Sequence, residues 1–216
     1  MHRMLACAFG TLMLFTGSAA AQSPEPERLW RWTGFYIGAG LGGGAALQTQ
    51  TLNDGFGTFR ETTGAGGVLA SAVVGYDFRV SRKIVAGGFI DIDLSNISNG
   101  DFGMISLPFD HRYTATIGGR IGYLLTPSTL WYLAAGYSRA SFDYAILGNF
   151  DFNGIFFGGG IETRLAGNWS LRGEYRYAHY FSQELLDLCG CGSFDAEADM
   201  HTGRVTLIYA FGAGAP

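Results

Sequence analysis

From Trp32 onward, apolar and polar residues alternate with a period of two over segments of strand length, and turn residues separate the segments. The alternation predicts strands at about 33–46, 66–79, 83–96, 111–125, 129–144, 154–165, 169–181 and 200–211. Eight segments, an even number, let a sheet close on itself with both ends on the same side. The connections have a rhythm: long at 47–65, short at 80–82, long at 97–110, short at 126–128, intermediate at 145–153, short at 166–168 and long at 182–199. Short turns on one side and longer loops on the other characterise barrels that cross a membrane. The expected fold is all-β, an eight-stranded antiparallel transmembrane β-barrel over residues 32–211.

Parity assigns the faces. In the second segment Val68, Ala70, Ala72, Val74, Tyr76 and Phe78 share one face, while Ser71, Gly75, Asp77 and Arg79 share the other. In the seventh, Trp169, Leu171, Gly173, Tyr175 and Tyr177 oppose Arg172, Glu174 and Arg176. The third sets Ile84, Ala86, Ile90, Ile92 and Leu94 against Asp91 and Asp93, and the sixth sets Ile155, Phe157, Ile161 and Leu165 against Glu162 and Arg164. The fifth departs. Trp131, Leu133 and Tyr137 indicate one phase and Phe142 and Tyr144 the other, so a bulge or a stretch beyond the hydrocarbon is expected there.

An eight-stranded barrel has an interior that side chains fill. Asp77, Asp91, Asp93, Glu162 and Glu174 are therefore expected to cross-link the lumen with Arg79, Arg112, Arg120, Arg164, Arg172, Arg176 and Arg204, because an unpaired charge there is costly. The alternative reading of the same residues is a narrow gated pore in which an arginine switches partners. Trp32, Phe35, Tyr76, Phe78, Tyr123, Trp131, Trp169, Tyr209 and Phe211 gather near the short turns and predict an aromatic girdle at one membrane interface. Tyr113, Phe142, Tyr144, Tyr177, Tyr180 and Phe181, near the long connections, are candidates for the opposite girdle. A soluble lipocalin-type barrel has the reverse arrangement, apolar inside and charged outside. Parity alone does not separate the two.

Composition and the N-terminus do. Charged residues make up only 15% of the chain, aromatics also 15%, glycine reaches 34 residues and Lys83 is the only lysine, which is little charge for a water-facing surface. No stretch after residue 22 has the ~18 consecutive apolar residues of a membrane helix. A net charge of -4 gives no electrostatic footprint for nucleic acid. His2 and Arg3, an apolar core from Met4 to Phe15 and the small residues Ser18 to Ala21 predict a signal peptide at 1–21, cleaved after Ala21. Cys7 leaves with it. Residues 22–31, with Pro24 and Pro26, read as a periplasmic lead, and 212–216 as a short C-terminal tail.

The motifs Trp32-Thr33-Gly34-Phe35-Tyr36-Ile37-Gly38, Val74-Gly75-Tyr76, Gly119-Arg120-Ile121-Gly122-Tyr123, Tyr132-Leu133-Ala134-Ala135-Gly136-Tyr137 and Glu174-Tyr175-Arg176-Tyr177, with a closing aromatic strand, mark a resemblance. The chain resembles, over essentially its whole mature length, the small outer-membrane β-barrel or "porin family" proteins of Gram-negative bacteria, which are similar to the membrane domain of outer-membrane protein A. The resemblance implies a cell outer membrane protein that supports envelope integrity and surface interactions. It also implies use of the barrel assembly machinery, which reads the terminal aromatic. Here Gly212 to Pro216 follow Phe211.

Other motifs have plainer readings. Gly38-Ala39-Gly40-Leu41-Gly42-Gly43 satisfies the dinucleotide-binding pattern, but a polar stretch and no helix follows, so the glycines are expected to relieve crowding. His111, His179 and His201 lie near the long connections, with Ser182 and Glu184 close to His179 in sequence. The spacing matches no hydrolase signature, so these are expected to be interfacial polar residues and an outer-leaflet lipid-modifying enzyme is the most distant alternative. Cys189-Gly190-Cys191 stands in an exported segment where a loop-tying or intermolecular disulfide is conceivable. The nearby Glu184, Asp187, Asp195, Glu197 and Asp199 read as a solvated acidic loop or a weak divalent bridge to lipopolysaccharide. The expectation is a monomeric, non-enzymatic structural barrel with no cofactor and no metal. Its expected partners are outer-membrane lipids, lipopolysaccharide and an unknown surface ligand.

Overall fold

The computed structural model describes residues 32–54, 56–99, 107–187 and 192–211. The predicted signal peptide and lead, the tail, and Cys189 and Cys191 lie outside the described residues. The strands are β1 (Gly34–Asn53), β2 (Thr58–Arg79), β3 (Ile84–Ser95), β4 (Ser98–Asn99), β5 (Phe109–Thr126), β6 (Thr129–Tyr144), β7 (Gly148–Arg164), β8 (Trp169–Asp187) and β9 (Ser193–Ala210). β4 prolongs β3 past a break at Asn96 and Ile97, so the wall has eight strands in the order β1-β9-β8-β7-β6-β5-β3-β2, closed by antiparallel pairing of β1 with β2. At the break, Val68 N–H donates to Asn96 Oδ1 (2.9 Å) and Asn96 N–H to Val68 O (3.2 Å), so the side chain replaces a missing ladder partner. Closure matters because an unpaired backbone amide in hydrocarbon costs several kcal/mol.

The strands run further than the apolar alternation predicts. Residues 47–53, 58–65, 148–153, 182–187 and 193–199, read from sequence as loops, are ladder-paired wall. The connections on that side shrink to 54–57, 100–108, 145–147 and 188–192. The physical reason is visible in β1. Gln48 and Gln50 face inward and are buried, whereas Thr49 and Thr51 face outward, so both faces are polar and the apolar signal disappears although the pairing continues. The acidic residues Asp195, Glu197 and Asp199 accordingly stand on β9 and not in a loop.

β6 holds one phase throughout. Trp131, Leu133 and Tyr137 point outward and Tyr132, Phe142 and Tyr144 inward, and its pairing with β7 has no irregularity. The apparent phase change reflects an interior that turns aromatic. The bulge is on the partner strand, where the register of β5 against β6 shifts between His111 and Tyr113. Arg112 and Tyr113 therefore both face outward, and the predicted inward place of Arg112 is corrected.

The two faces are opposite in kind to those of a soluble barrel. Leu41 (71%), Val68 (64%), Ile117 (58%) and Phe157 (58%) are exposed outside, while Glu162 (1%), Asp91 (2%) and Arg172 (3%) are buried inside. On β8 the outward apolar run extends from Trp169 up to the level of His179, about ten residues. At roughly 3.3 Å per residue and ~40° of tilt this makes a band about 25 Å tall, the height of a bilayer's hydrocarbon.

Candidate functional site

The lumen is organised by arginines that rise from the inner faces of β5, β8 and β9. In the lower layer Glu162 on β7 accepts from Arg120 Nη1 (2.9 Å), Arg172 Nε (3.0 Å), Arg172 Nη2 (2.9 Å) and Ser170 Oγ (2.7 Å). Arg120 also binds Asp77 with two donors, Nε to Oδ1 at 3.0 Å and Nη2 to Oδ2. The guanidinium of Arg120 lies 5.0 Å from the ring centroids of Tyr36 and Tyr132, and that of Arg172 4.9 Å from Tyr36, so the aromatic faces cover what the carboxylates leave open.

The upper layer is a second knot. Arg204 on β9 donates to Asp93 (2.8 Å), Asp91 (2.9 Å) and Glu174 (2.6 Å). Arg176 donates to Asp91 (2.8 Å) and Glu174 (2.9 Å), with its guanidinium 4.3 Å from the Phe156 centroid. Tyr132 Oη donates to Glu174 Oε2 at 2.6 Å and so joins the layers. Five buried cations, Arg120, Arg164, Arg172, Arg176 and Arg204, face five buried carboxylates, Asp77, Asp91, Asp93, Glu162 and Glu174. The formal charges of these ten buried groups balance.

Two inner-face glycines make room for this filling. A Cβ on Gly87 collides with the Asp77 carboxylate, and one on Gly160 lies 2.7 Å from Tyr132 Oη.

Two predicted members are elsewhere. Arg112 pairs with Asp143 (3.3 Å) on the exposed outer face. Arg79 sits at the end of β2, donating to the carbonyls of Ser81 (3.2 Å) and Arg82 (2.6 Å), because parity loses its meaning where the chain turns. Arg164 is inside but differs from the rest: its Nε and Nη1 lack a hydrogen-bond partner, and its guanidinium stacks 4.5 Å from Trp32 at the end of the barrel with the short turns.

Above the charged layers the lumen holds an aromatic core that sequence reasoning missed. Phe142 meets Phe109, Phe152 and Tyr180 edge-on, with centroids 5.9, 5.2 and 6.1 Å away. Tyr144 packs on Phe109 and Phe152 and bonds Gln48. Gln50 grips the backbone of Leu107 in both directions, donating to its carbonyl (3.1 Å) and accepting from its amide (2.8 Å). The usable signal was the even-residue parity of β6 running unbroken through Tyr144. Phe142, Tyr144 and Tyr180 therefore belong to the interior and not to the second girdle, whereas Tyr113 and Phe181 face out.

Phe35, Tyr76, Phe78, Tyr123, Trp131, Trp169, Tyr209 and Phe211 face outward next to the short turns, with edge-on pairs Phe35–Tyr76 (4.7 Å), Trp169–Tyr209 (5.0 Å) and Tyr209–Phe211 (5.1 Å). Trp32 is the correction. Only 1% exposed, it turns into the barrel and donates from Nε1 to the Pro127 carbonyl (3.0 Å), because it precedes β1 and Arg164 offers it a cation.

The histidines form no serine–histidine–acid relay. Ser95 Oγ lies 2.6 Å from His111 Nδ1, but the other ring nitrogen meets Thr114 (2.8 Å) and not a carboxylate. His179 contacts Asp199 (2.8 Å) with Tyr177 as the third group, while Ser182 and Glu184 are exposed on an irregular stretch of β8. His201 bonds Tyr175 (2.7 Å) on the outer face. Among the described residues no helix is long and apolar enough to cross a membrane and no cluster of three or more metal-ligating side chains is present. The glycines at 38, 40 and 42 lie inside strand β1, not at a helix start.

Residues 7–211 match the model of the outer membrane protein β-barrel domain. The 31 kDa outer-membrane immunogenic protein of Brucella melitensis is 27% identical over 216 residues, covering 89% of each chain. The 22 kDa outer membrane protein of Rhizobium leguminosarum is 31% identical over 190 residues, covering 87% of this chain and 82% of that protein. Among solved structures, Neisserial surface protein A is similar with a TM-score of 0.45 and 17% identity, over 83% of this chain and 98% of that one.

Proposed function

The chain belongs to the outer membrane β-barrel family and is an outer-membrane protein, and from that premise we propose that it acts as a non-enzymatic structural barrel with a sealed lumen. Its work is mechanical: it anchors a stiff, closed wall in the membrane and carries paired hairpins beyond it for contact with the surroundings. The observation that supports this reading is the filling of the lumen, four arginines bonded to five carboxylates in two knots with the buried Arg164 stacked on Trp32 beside them, under the Phe109, Phe142 and Phe152 core. Burial strengthens such pairs and makes any unpairing costly, so the ground state has no incentive to open a water path. Its proposed partners are outer-membrane lipids, lipopolysaccharide and, during biogenesis, the assembly machinery. The name of the Brucella relative, an immunogenic protein, fits hairpins that are displayed outward.

One feature favours a second reading. Arg164, with two donors unbonded at the short-turn mouth, is the arginine freest to change partners, as a narrow gated pore requires. Planar-bilayer recording separates the two. The sealed barrel gives no conductance steps at either polarity, and reproducible steps that disappear in Arg164→Met overturn it in favour of the pore.

A further inference from the structure

The outward faces of β8 and β9 carry a group of side chains unlike the rest of the lipid-facing wall. Tyr175 Oη bonds His201 Nδ1 at 2.7 Å, Tyr177 Oη donates to Asp199 at 2.6 Å, and His179 Nδ1 meets the same carboxylate at 2.8 Å. In ladder register these residues are flanked by Ile155 and Phe157 on β7 and by Ala45 and Leu47 on β1, all apolar or small. The group is open to its surroundings: Tyr175 is 55% exposed, and the His179 and Asp199 side chains 38% and 40%. Three other outward carboxylates, Glu197, Asp143 and Asp151, are met by arginines, Arg60, Arg112 and Arg139. Here the carboxylate is met only by a phenol and an imidazole.

The rings add a platform. Tyr177 and His201 have centroids 5.1 Å apart, Tyr175 and His201 6.2 Å, and His179 meets Phe181 edge-on at 5.8 Å. Next to it in register, Gly203 opposite Tyr175 and Gly173 opposite Val205 leave open space, with no atom within 4 Å of where a Cβ would stand. An apolar notch thus adjoins a set of hydrogen-bonding donors and acceptors presented beside aromatic faces.

We propose that Tyr175, Tyr177, His179, Asp199 and His201 form a binding site for the sugar headgroup of an outer-leaflet glycolipid, one of whose acyl chains lies over Gly173 and Gly203. A carboxylate lacking a permanent cation, with phenols and imidazoles around it, suits hydroxyl groups better than bare phosphate, which it repels. The proposal rests on the placement of the wall in the outer membrane and is independent of whether the lumen is sealed.

The test is native mass spectrometry of the folded protein incubated separately with purified lipopolysaccharide, phosphatidylglycerol and phosphatidylethanolamine in one detergent. Lipopolysaccharide is expected to be retained preferentially, and the double variant Tyr175→Phe, Asp199→Asn to lose about tenfold in its retention, as two removed hydrogen bonds imply. Gly203→Leu, which fills the notch and removes none of the polar groups, is expected to weaken retention as well. Folding of each variant is checked by its heat-modifiable migration on gels, and Arg139→Gln on another part of the outer face serves as the control that leaves retention unchanged. Equal retention of the three lipids overturns the proposal, as does a preference that survives both the double variant and Gly203→Leu or falls equally in Arg139→Gln.

Discussion

Glu162 is the residue on which the lower lumen depends, since it gathers Arg120, Arg172 and Ser170 on one carboxylate. Glu162→Gln removes a charge from a buried network, at a cost of about 3–5 kcal/mol. Arg164→Met loses a stacking contact with Trp32 but strands no hydrogen-bonded carboxylate, so its cost is about 1 kcal/mol. Urea unfolding of the two variants in the same bilayer vesicles measures the difference; equal midpoints would mean that Glu162 is solvated and the knot is not a unit. At this scale the sequence was readable where parity was uninterrupted: ten of the twelve charges assigned to the lumen from strand alternation are buried there, Arg79 and Arg112 being the departures. It was unreadable at ends and bulges, where Arg112 and Trp32 changed sides.

At the level of the strand, side-chain volume on the two faces has opposite meaning. The inner face of β7 has no space at Gly160, where a side chain strikes Tyr132 and disturbs its bond to Glu174. Gly119 on β5 faces outward with only ordinary contact, 3.6 Å to the Gly87 carbonyl. Gly160→Val is therefore expected to destabilise by about 1–3 kcal/mol through overpacking, and Gly119→Val to be neutral or better, because it shields backbone and favours the extended chain. Heat-modifiability profiles of the pair check this, and a Gly119→Val barrel as weak as Gly160→Val contradicts the assignment of faces. Strand limits were the least legible part of the chain. Apolar alternation reports a strand only while one face is apolar, and beyond the hydrocarbon neither the outer face nor the Gln48 and Gln50 positions of β1 are.

For the whole molecule the proposed sealed lumen makes a prediction about salt. Salt screens exposed pairs such as Arg60–Glu197 and Arg139–Asp151, which contribute about 0–1 kcal/mol each, but not pairs out of contact with ions. The urea midpoint is expected to be nearly unchanged between low and high sodium chloride, and a steep fall with salt would show that ions reach the lumen. What the sequence determined by itself is the local grammar: a two-residue period, eight crossing strands, apolar and charged faces, and an aromatic border, each set by neighbours along one strand. Only the tertiary structure decided which arginine meets which carboxylate, that Trp32 turns inward, that an aromatic core gathers in the lumen and that Tyr175, His201, Tyr177, Asp199 and His179 join on the outer wall. Those contacts run between strands, and their partners follow from the register and closure of the ring, which no single strand's alternation contains.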